Sequence, residues 1–425
     1  MRTKSERHTT KSRVRAPRRL LLLCLLAVFA LLAASCTGDT DGDADSGAAP
    51  ATTAPAAADD MADDDMADDD MADDDMADDD MADDDMADDA ATAPVTQGPG
   101  GEEAVASSEI TLSDDEIAQV QAGGYTAALL WHTAGAFTDA VSQGARDAFA
   151  ELGIEVIAET NASFDAAQQA NDVETVMAQN PDIIISLAIG PDAGAEAFRP
   201  ATEAGVQLVF LSNVPQGYVH GEDYVGIVTD DLAAMGITAA NLLGEALGGE
   251  GEVGFIFHDA AYYVTNQRDQ AFKSWIEINY PGIEIVAEQG LADPAAAEEI
   301  AAALLTRHPD LDGIYAPWSA GPADGVLAAL RAAGASDVAV VTMDLDTNVS
   351  LDLVEGGNIV GIAADEAYNL GRTMAFEGAY GLLGKAAPAF VVVPAIGVTA
   401  DNIVDAYRQS LAAEPPPEVL EALGN

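Results

Sequence analysis

Aromatic side chains, one arginine and several carboxylates stand in this chain directly after short apolar runs. The run from Tyr125 ends in Trp131-His132-Thr133-Ala134-Gly135-Ala136-Phe137-Thr138. The run reaching Phe257 leads into His258-Asp259-Ala260-Ala261-Tyr262-Tyr263-Val264-Thr265-Asn266-Gln267-Arg268. Then come Ala316-Pro317-Trp318-Ser319, Thr342-Met343-Asp344-Leu345-Asp346 and Ala363-Ala364-Asp365. Ring faces cover the apolar C–H side of a small molecule, while Asp and Arg make charge-assisted hydrogen bonds to its hydroxyls. Brought together in a cleft, these residue types suit a neutral polyhydroxylated molecule.

The same residues do not compose a catalyst. The sequence has no Gly-x-Ser-x-Gly elbow, no His-Glu-x-x-His helix and no phosphate loop. Asp259 and Asp344 could pair as glycosidase acid and base, but nothing in the sequence sets their separation. Gly249-Glu250-Gly251-Glu252-Val253-Gly254 matches a dinucleotide fingerprint yet precedes a strand, so it reads as a turn. His132 and His258 lack partners at metal spacing and read as loop polar groups; Tyr262 and Tyr263 either close a cleft or pack beneath it. The expectation is a binding protein with no cofactor and no metal.

Alternating elements must position these loops. Strands are expected at Tyr125 to Trp131, Glu155 to Ala158, Asp182 to Ile189, Gln207 to Ser212 and Tyr224 to Val228. The series resumes with Val253 to His258, Ile283 to Ala287, Gly313 to Trp318, Val338 to Asp344, Ile359 to Ala363 and Phe390 to Pro394. Ala-rich stretches of helical spacing, such as Asp139 to Leu152 and Arg268 to Ile278, separate them. The alternation implies an α/β protein with parallel sheets flanked by helices, and so many strands fit two lobes better than one sheet. In such sheets ligands collect beyond the carboxyl ends of the strands, where the aromatic and charged residues fall.

Ahead of this body the chain is different. Arg2 to Arg19 is basic, and the apolar run Leu20 to Leu31 leads into Leu32-Ala33-Ala34-Ser35-Cys36. That run is shorter than the ~20 residues of a membrane-crossing helix and ends in small side chains, the pattern of an export signal covering 1–35. It resembles a bacterial lipoprotein signal, with Cys36 as the lipidated mature terminus. The other cysteine, Cys24, lies in the apolar run, so the exported body has no disulfide. Residues 36–112 are rich in Ala, Asp, Thr, Gly and Pro, with a Met-Ala-Asp-Asp-Asp repeat starting at Met61, and carry no base. Self-repulsion and scarce apolar surface predict a disordered acidic tether there. Asp39 to Asp45 imitates a calcium loop, but Pro50 occupies the place of the closing Glu. The formal net charge of −56 argues against nucleic acid and, unless a local base compensates, against anionic ligands.

Five blocks in order, Asn180-Pro181-Asp182-Ile183-Ile184-Ile185, Ala204 to Phe210, Asn266 to Phe272, Leu305 to Tyr315 and Val340 to Asp344, resemble the ribose/galactose-type periplasmic binding proteins of ABC transporters. The resemblance implies a type I, two-lobed Venus-flytrap body over 113–425: lobe 1 at about 120–231 and 365–390, lobe 2 at about 232–364 and 391–425. It implies ligand contacts from Phe137, Arg268, Trp318, Asp344 and Asp365; Trp131, Thr138 and Asn213 are added as candidates where the chain departs from the ribose pattern. The blander alternatives are a core role for Trp131 or Trp318, a surface pair for Arg268 and a helix cap for Asp344. The expected role is a lipid-anchored, extracytoplasmic monomer that binds a small neutral sugar or polyol and delivers it to an ABC permease. A receptor presenting a signal molecule to a chemotaxis or kinase sensor is the alternative. The export signal and the lack of a basic helix-turn-helix exclude a transcriptional regulator.

Overall fold

The computed structural model describes residues 93–424, so Cys36, the export segment and the acidic repeats lie outside the described residues. Among the described residues thirteen strands follow in order: β1 (Val105–Ala106), β2 (Thr126–Trp131), β3 (Glu155–Asn161), β4 (Ile183–Ser186), β5 (Gln207–Leu211), β6 (Gly226–Asp230), β7 (Glu250–His258), β8 (Gly282–Leu291), β9 (Gly313–Tyr315), β10 (Ala339–Met343), β11 (Ile359–Ala364), β12 (Phe390–Val393) and β13 (Ile396–Val398). They form a seven-stranded sheet of order β1-β12-β6-β5-β4-β2-β3 and a six-stranded sheet of order β13-β11-β10-β9-β7-β8. Every pairing is parallel except β11 with β13.

Burial on both faces explains the continuous apolar strands. In β2, Ala127, Leu129 and Trp131 enter one core cluster, while Ala128 and Leu130 enter the cluster on the other face. Local signals set the helix ends: Asp165, Asp231 and Asp346 cap N-termini through their side chains. Gly205, Gly334 and Gly384 close C-termini in the left-handed region, which glycine enters without a side-chain clash.

The chain passes between the sheets three times: at Asp231 after β6, at Asp365 and Glu366 after β11, and at Pro394 and Ala395 between β12 and β13. The helix Ala367–Leu383 returns to the first sheet and packs on the helix Ala136–Glu151. Their approach requires glycine. A Cβ on Gly144 would lie 1.9 Å from the Tyr368 carbonyl oxygen, and one on Gly371 would lie 1.8 Å from that of Val141. The C-terminal helices Ile403–Leu411 and Pro417–Ala422 bury Ile403, Tyr407 and Val419 in a core of the second lobe.

One boundary differs from the composition-based expectation. Residues 93–112, assigned to the tether, belong to the folded body: β1 extends the first sheet beside β12, and Ile110 is buried in its core. Thr111 pairs through its backbone with the Tyr380 hydroxyl. The Thr96 hydroxyl donates to Asp231 Oδ1 at 2.5 Å and accepts from the Ala233 N–H at 2.8 Å, at the first crossing between lobes. Backbone pairing on an edge strand needs little apolar patterning, so a polar composition concealed it.

Candidate functional site

A cavity of about 150 Å³ lies where the carboxyl ends of both sheets face each other. That exceeds the ~10–15 Å³ needed for one water on the same measure, so the space admits a small molecule. His132 reaches it from the turn after β2, Phe137 and Thr138 from the start of the helix Ala136–Glu151, Phe164 from the loop after β3, Leu187 from after β4 and Ser212 from after β5. Asp230 closes β6 at the first crossing, and Asp365 follows β11 at the second. The second lobe supplies His258, Tyr262 and Arg268 around the helix Tyr263–Asn279, Trp318 after β9 and Asp344 after β10.

The charged centre is Arg268. Its side chain is buried, with Nη1 at 3.1 Å from Asp344 Oδ1 and 3.6 Å from Asp230 Oδ2. The helix carrying it lies close to its neighbour because Gly236 has no side chain; a Cβ there would meet the Arg268 carbonyl at 2.4 Å. Arg268 Nε, Asp230 Oδ2 and Asp365 Oδ2 are buried without hydrogen-bond partners. Burial pushes Asp230 from its ordinary 3.8 to about 6; Arg268 opposes the rise and Asp344 adds to it. Burial also raises Asp344, and it lifts Asp365 well above the carboxylate range, with help from the charges of Asp344 and Asp230. For Arg268, burial works against the charge, but Asp344 and Asp230 outweigh it and hold the guanidinium ionised. Acids crowded around one base suit hydroxyls, which both donate and accept, better than an anion.

Packing fixes the surroundings. Asp269, next to Arg268, accepts from the Tyr315 hydroxyl at 2.6 Å and from the His258 N–H at 2.9 Å, which locks the helix to β7 and β9. His258 Nδ1 lies 2.8 Å from Thr265 Oγ1, and its ring stands edge-on to Trp318 at 5.0 Å. Burial lowers the pKa of His258, keeping it neutral. Trp318 anchors its indole by donating to the Ala320 carbonyl at 3.0 Å.

Of the residues anticipated from sequence, Phe137, Thr138, Arg268, Trp318, Asp344 and Asp365 line the cavity. Trp131 does not. It is 2% exposed in the first-lobe core, where its Nε1 donates to Ser142 Oγ at 2.7 Å. Strand alternation turns it to the core face with Leu129, and the following His132 reaches the cavity instead. Asn213 is also outside the lining; its Oδ1 accepts the Val264 N–H at 3.2 Å across the lobes, and its neighbour Ser212 faces the cavity. Asp344 is not a helix cap, since Asp346 has that role. Sequence reasoning missed Asp230, Phe164 and Ser212 as lining residues. Asp230 carried a usable signal, an acid at the carboxyl end of a buried strand. Among the described residues, no group of His, Cys, Asp and Glu is arranged to hold a metal.

Comparison with known proteins agrees with this architecture. The periplasmic binding protein domain is matched over residues 127–385. The ABC transporter periplasmic-binding protein YphF of Escherichia coli is 28% identical over 219 residues, covering 50% of this chain and 66% of that protein, just under two thirds of its length. The D-apiose import binding protein of Actinobacillus succinogenes is 26% identical over 235 residues, 55% of this chain and 74% of that protein. An ABC transporter solute binding protein from Agrobacterium vitis, crystallised with α-D-tagatopyranose, superposes with a TM-score of 0.62 at 24% identity, covering 68% of this chain and all of that one. These are binding proteins, not enzymes. With two mainly parallel sheets, three crossings and a cavity between facing carboxyl ends, this chain belongs to the periplasmic binding protein family in its two-lobed type I form.

Proposed function

We propose that the protein captures a small neutral sugar or cyclic polyol between its lobes as the binding component of an ABC import system. The observation that carries this reading is the buried Arg268 cluster. It leaves Arg268 Nε, Asp230 Oδ2 and Asp365 Oδ2 without hydrogen-bond partners, in a cavity that Phe137 and Trp318 also line. Hydroxyls both donate and accept, so a polyol can satisfy all three, and the rings cover its C–H face. A carboxylate or phosphate on the ligand would meet Asp230 and Asp344, which line the same cavity, and this disfavours acidic sugars. Neighbouring folds crystallised with tagatose, D-arabinose and myo-inositol support the same ligand class.

Delivery to a permease and attachment at the outer membrane face through Cys36 complete the proposal. The acidic repeats would then give the body reach from the membrane. Two or more acyl chains at Cys36 would hold it stably where one alone is marginal. Changing Cys36 to Ser should release the protein from the membrane fraction; unchanged fractionation would refute the anchor. For the ligand, the test is mass spectrometry of small molecules released when the purified protein is denatured. Recovery of a neutral sugar or polyol is expected, and a stoichiometric acidic molecule would overturn the reading.

A further inference from the structure

Phe164 combines a left-handed backbone with an exposed ring. It is one of four exposed large hydrophobic residues among those described, at 44% exposure, and the only one of the four that lines the cavity. Both it and Ser163 have left-handed backbones, with φ of 60° and 51°. For residues with a Cβ that region is disfavoured, and it persists only where the surroundings enforce it. Here they do. The Phe164 N–H donates to the His132 carbonyl at 2.7 Å, the Ala162 N–H to that of Trp131 at 3.0 Å, and the Ser163 N–H to Asn161 Oδ1 at 2.8 Å. The loop after β3 is thus fastened to the turn after β2, and Phe164 is held at the cavity's edge.

The ring stands edge-on to His132, with centroids 5.1 Å apart and planes at 78°. His132 is buried and lines the same cavity, and its Nδ1 has no partner. Burial lowers its pKa to about 4, so the imidazole is neutral and can exchange one hydrogen bond without adding charge. An apolar ring braced by a neutral imidazole, in the cavity that the Arg268 cluster also lines, is arranged to receive the part of a ligand that the acids do not hold.

We infer that Phe164 is a specificity-determining residue of the sugar site: its ring takes the C–H face of a cyclic ligand, with His132 Nδ1 bonding one hydroxyl beside it. This rests on the sugar-binding reading proposed above. It predicts a preference for cyclic sugars and inositols over open-chain polyols with the same number of hydroxyls, because only the ring compounds present a continuous apolar face.

The test uses the whole exported protein with D-tagatose, D-arabinose, D-allose and myo-inositol, and with open-chain ribitol and sorbitol, each followed by thermal shift and calorimetric titration. For every cyclic probe that binds the native protein, Phe164→Ala should weaken affinity about tenfold, and Phe164→Tyr, which keeps the ring, should stay within about threefold. The empty Phe164→Ala protein should melt as the native one does. Phe164→Gly should melt higher while binding as weakly as Phe164→Ala, because glycine adopts the left-handed backbone without strain. Two results would overturn the inference while leaving sugar binding intact: native affinity in Phe164→Ala, or loss of cyclic and open-chain binding by the same factor. If no probe shifts the native protein, the sugar-binding reading itself fails and takes this inference with it.

Discussion

Asn213 of the first lobe accepts the backbone N–H of Val264 in the second at 3.2 Å. Beside that bond, Tyr262 and Tyr263 pack against the two core clusters of the first lobe, although both belong to the second. These contacts join the lobes in the conformation described and would be lost if the cleft opened. Asn213→Ala should therefore weaken ligand affinity without unfolding either lobe. One neutral hydrogen bond is worth about 0.5–1.5 kcal/mol, so the loss should be a few-fold to about tenfold. Titration calorimetry on the variant checks this, and unaltered affinity would show that the bond does not contribute to closure.

The acids of the cleft predict a pH dependence. Asp230 keeps its proton up to about pH 6 in the folded, empty protein, whereas the unfolded chain releases it near 3.8. Between those values the folded state binds more protons, so this residue's contribution to stability falls as pH rises through that window. Ligand binding has the opposite sign. A hydroxyl donating to Asp230 favours the carboxylate, so binding should release protons and affinity should increase as pH rises through about 6. Calorimetry in buffers of different ionisation enthalpy reads the proton count directly; net uptake on binding would contradict the assignment.

Two tryptophans should respond in opposite ways. Trp131→Phe removes the bond to Ser142 inside the core and should destabilise the protein by about 1 kcal/mol with affinity unchanged. Trp318→Ala should leave the melting temperature nearly constant and reduce affinity, since its ring faces the cavity and its indole bonds only the local Ala320 carbonyl. Melting curves and titrations of both variants decide the point.

The segment before β1 should matter mechanically. Thr96 ties the chain entering from the acidic region to Asp231 and Ala233 at the first crossing. Thr96→Val should cost about 1 kcal/mol, measurable by denaturant unfolding. Removing 93–112 should cost several times more, because Ile110 and the β1 pairing are lost with it. Equal stability after that truncation would place the segment outside the folded body.

Much of the architecture was legible because it follows from burial. Ile183, Ile184 and Ile185 form an unbroken apolar run since both faces of β4 are covered, and such runs mark central parallel strands without further information. Asp344 was legible because an acid at a strand's carboxyl end must find a partner if buried, and Arg268 because it stands in the helix Tyr263–Asn279 at a position the family resemblance marks. Trp131 shows the limit. A strand's last residue and the next differ by one place in sequence but by opposite faces in space, and composition does not tell where the strand stops. Phe164 was concealed for another reason: its position depends on two left-handed residues and on hydrogen bonds to a distant turn, which no local pattern encodes. The entry segment escaped notice because edge-strand pairing uses the backbone, common to all residues.

The measurement that bears most directly on the account is calorimetric titration of a neutral cyclic sugar, recovered from the protein or found by thermal shift, into the native form and into Arg268→Ala. The account predicts one site per chain in the native protein. In the variant it predicts a loss of affinity of at least about thirtyfold, the scale of removing one partner from a charged, desolvated hydrogen bond. Binding that survives unchanged in a folded Arg268→Ala protein would contradict it, since the ligand would then lie outside the cleft that Arg268, Asp230, Asp344 and Asp365 define.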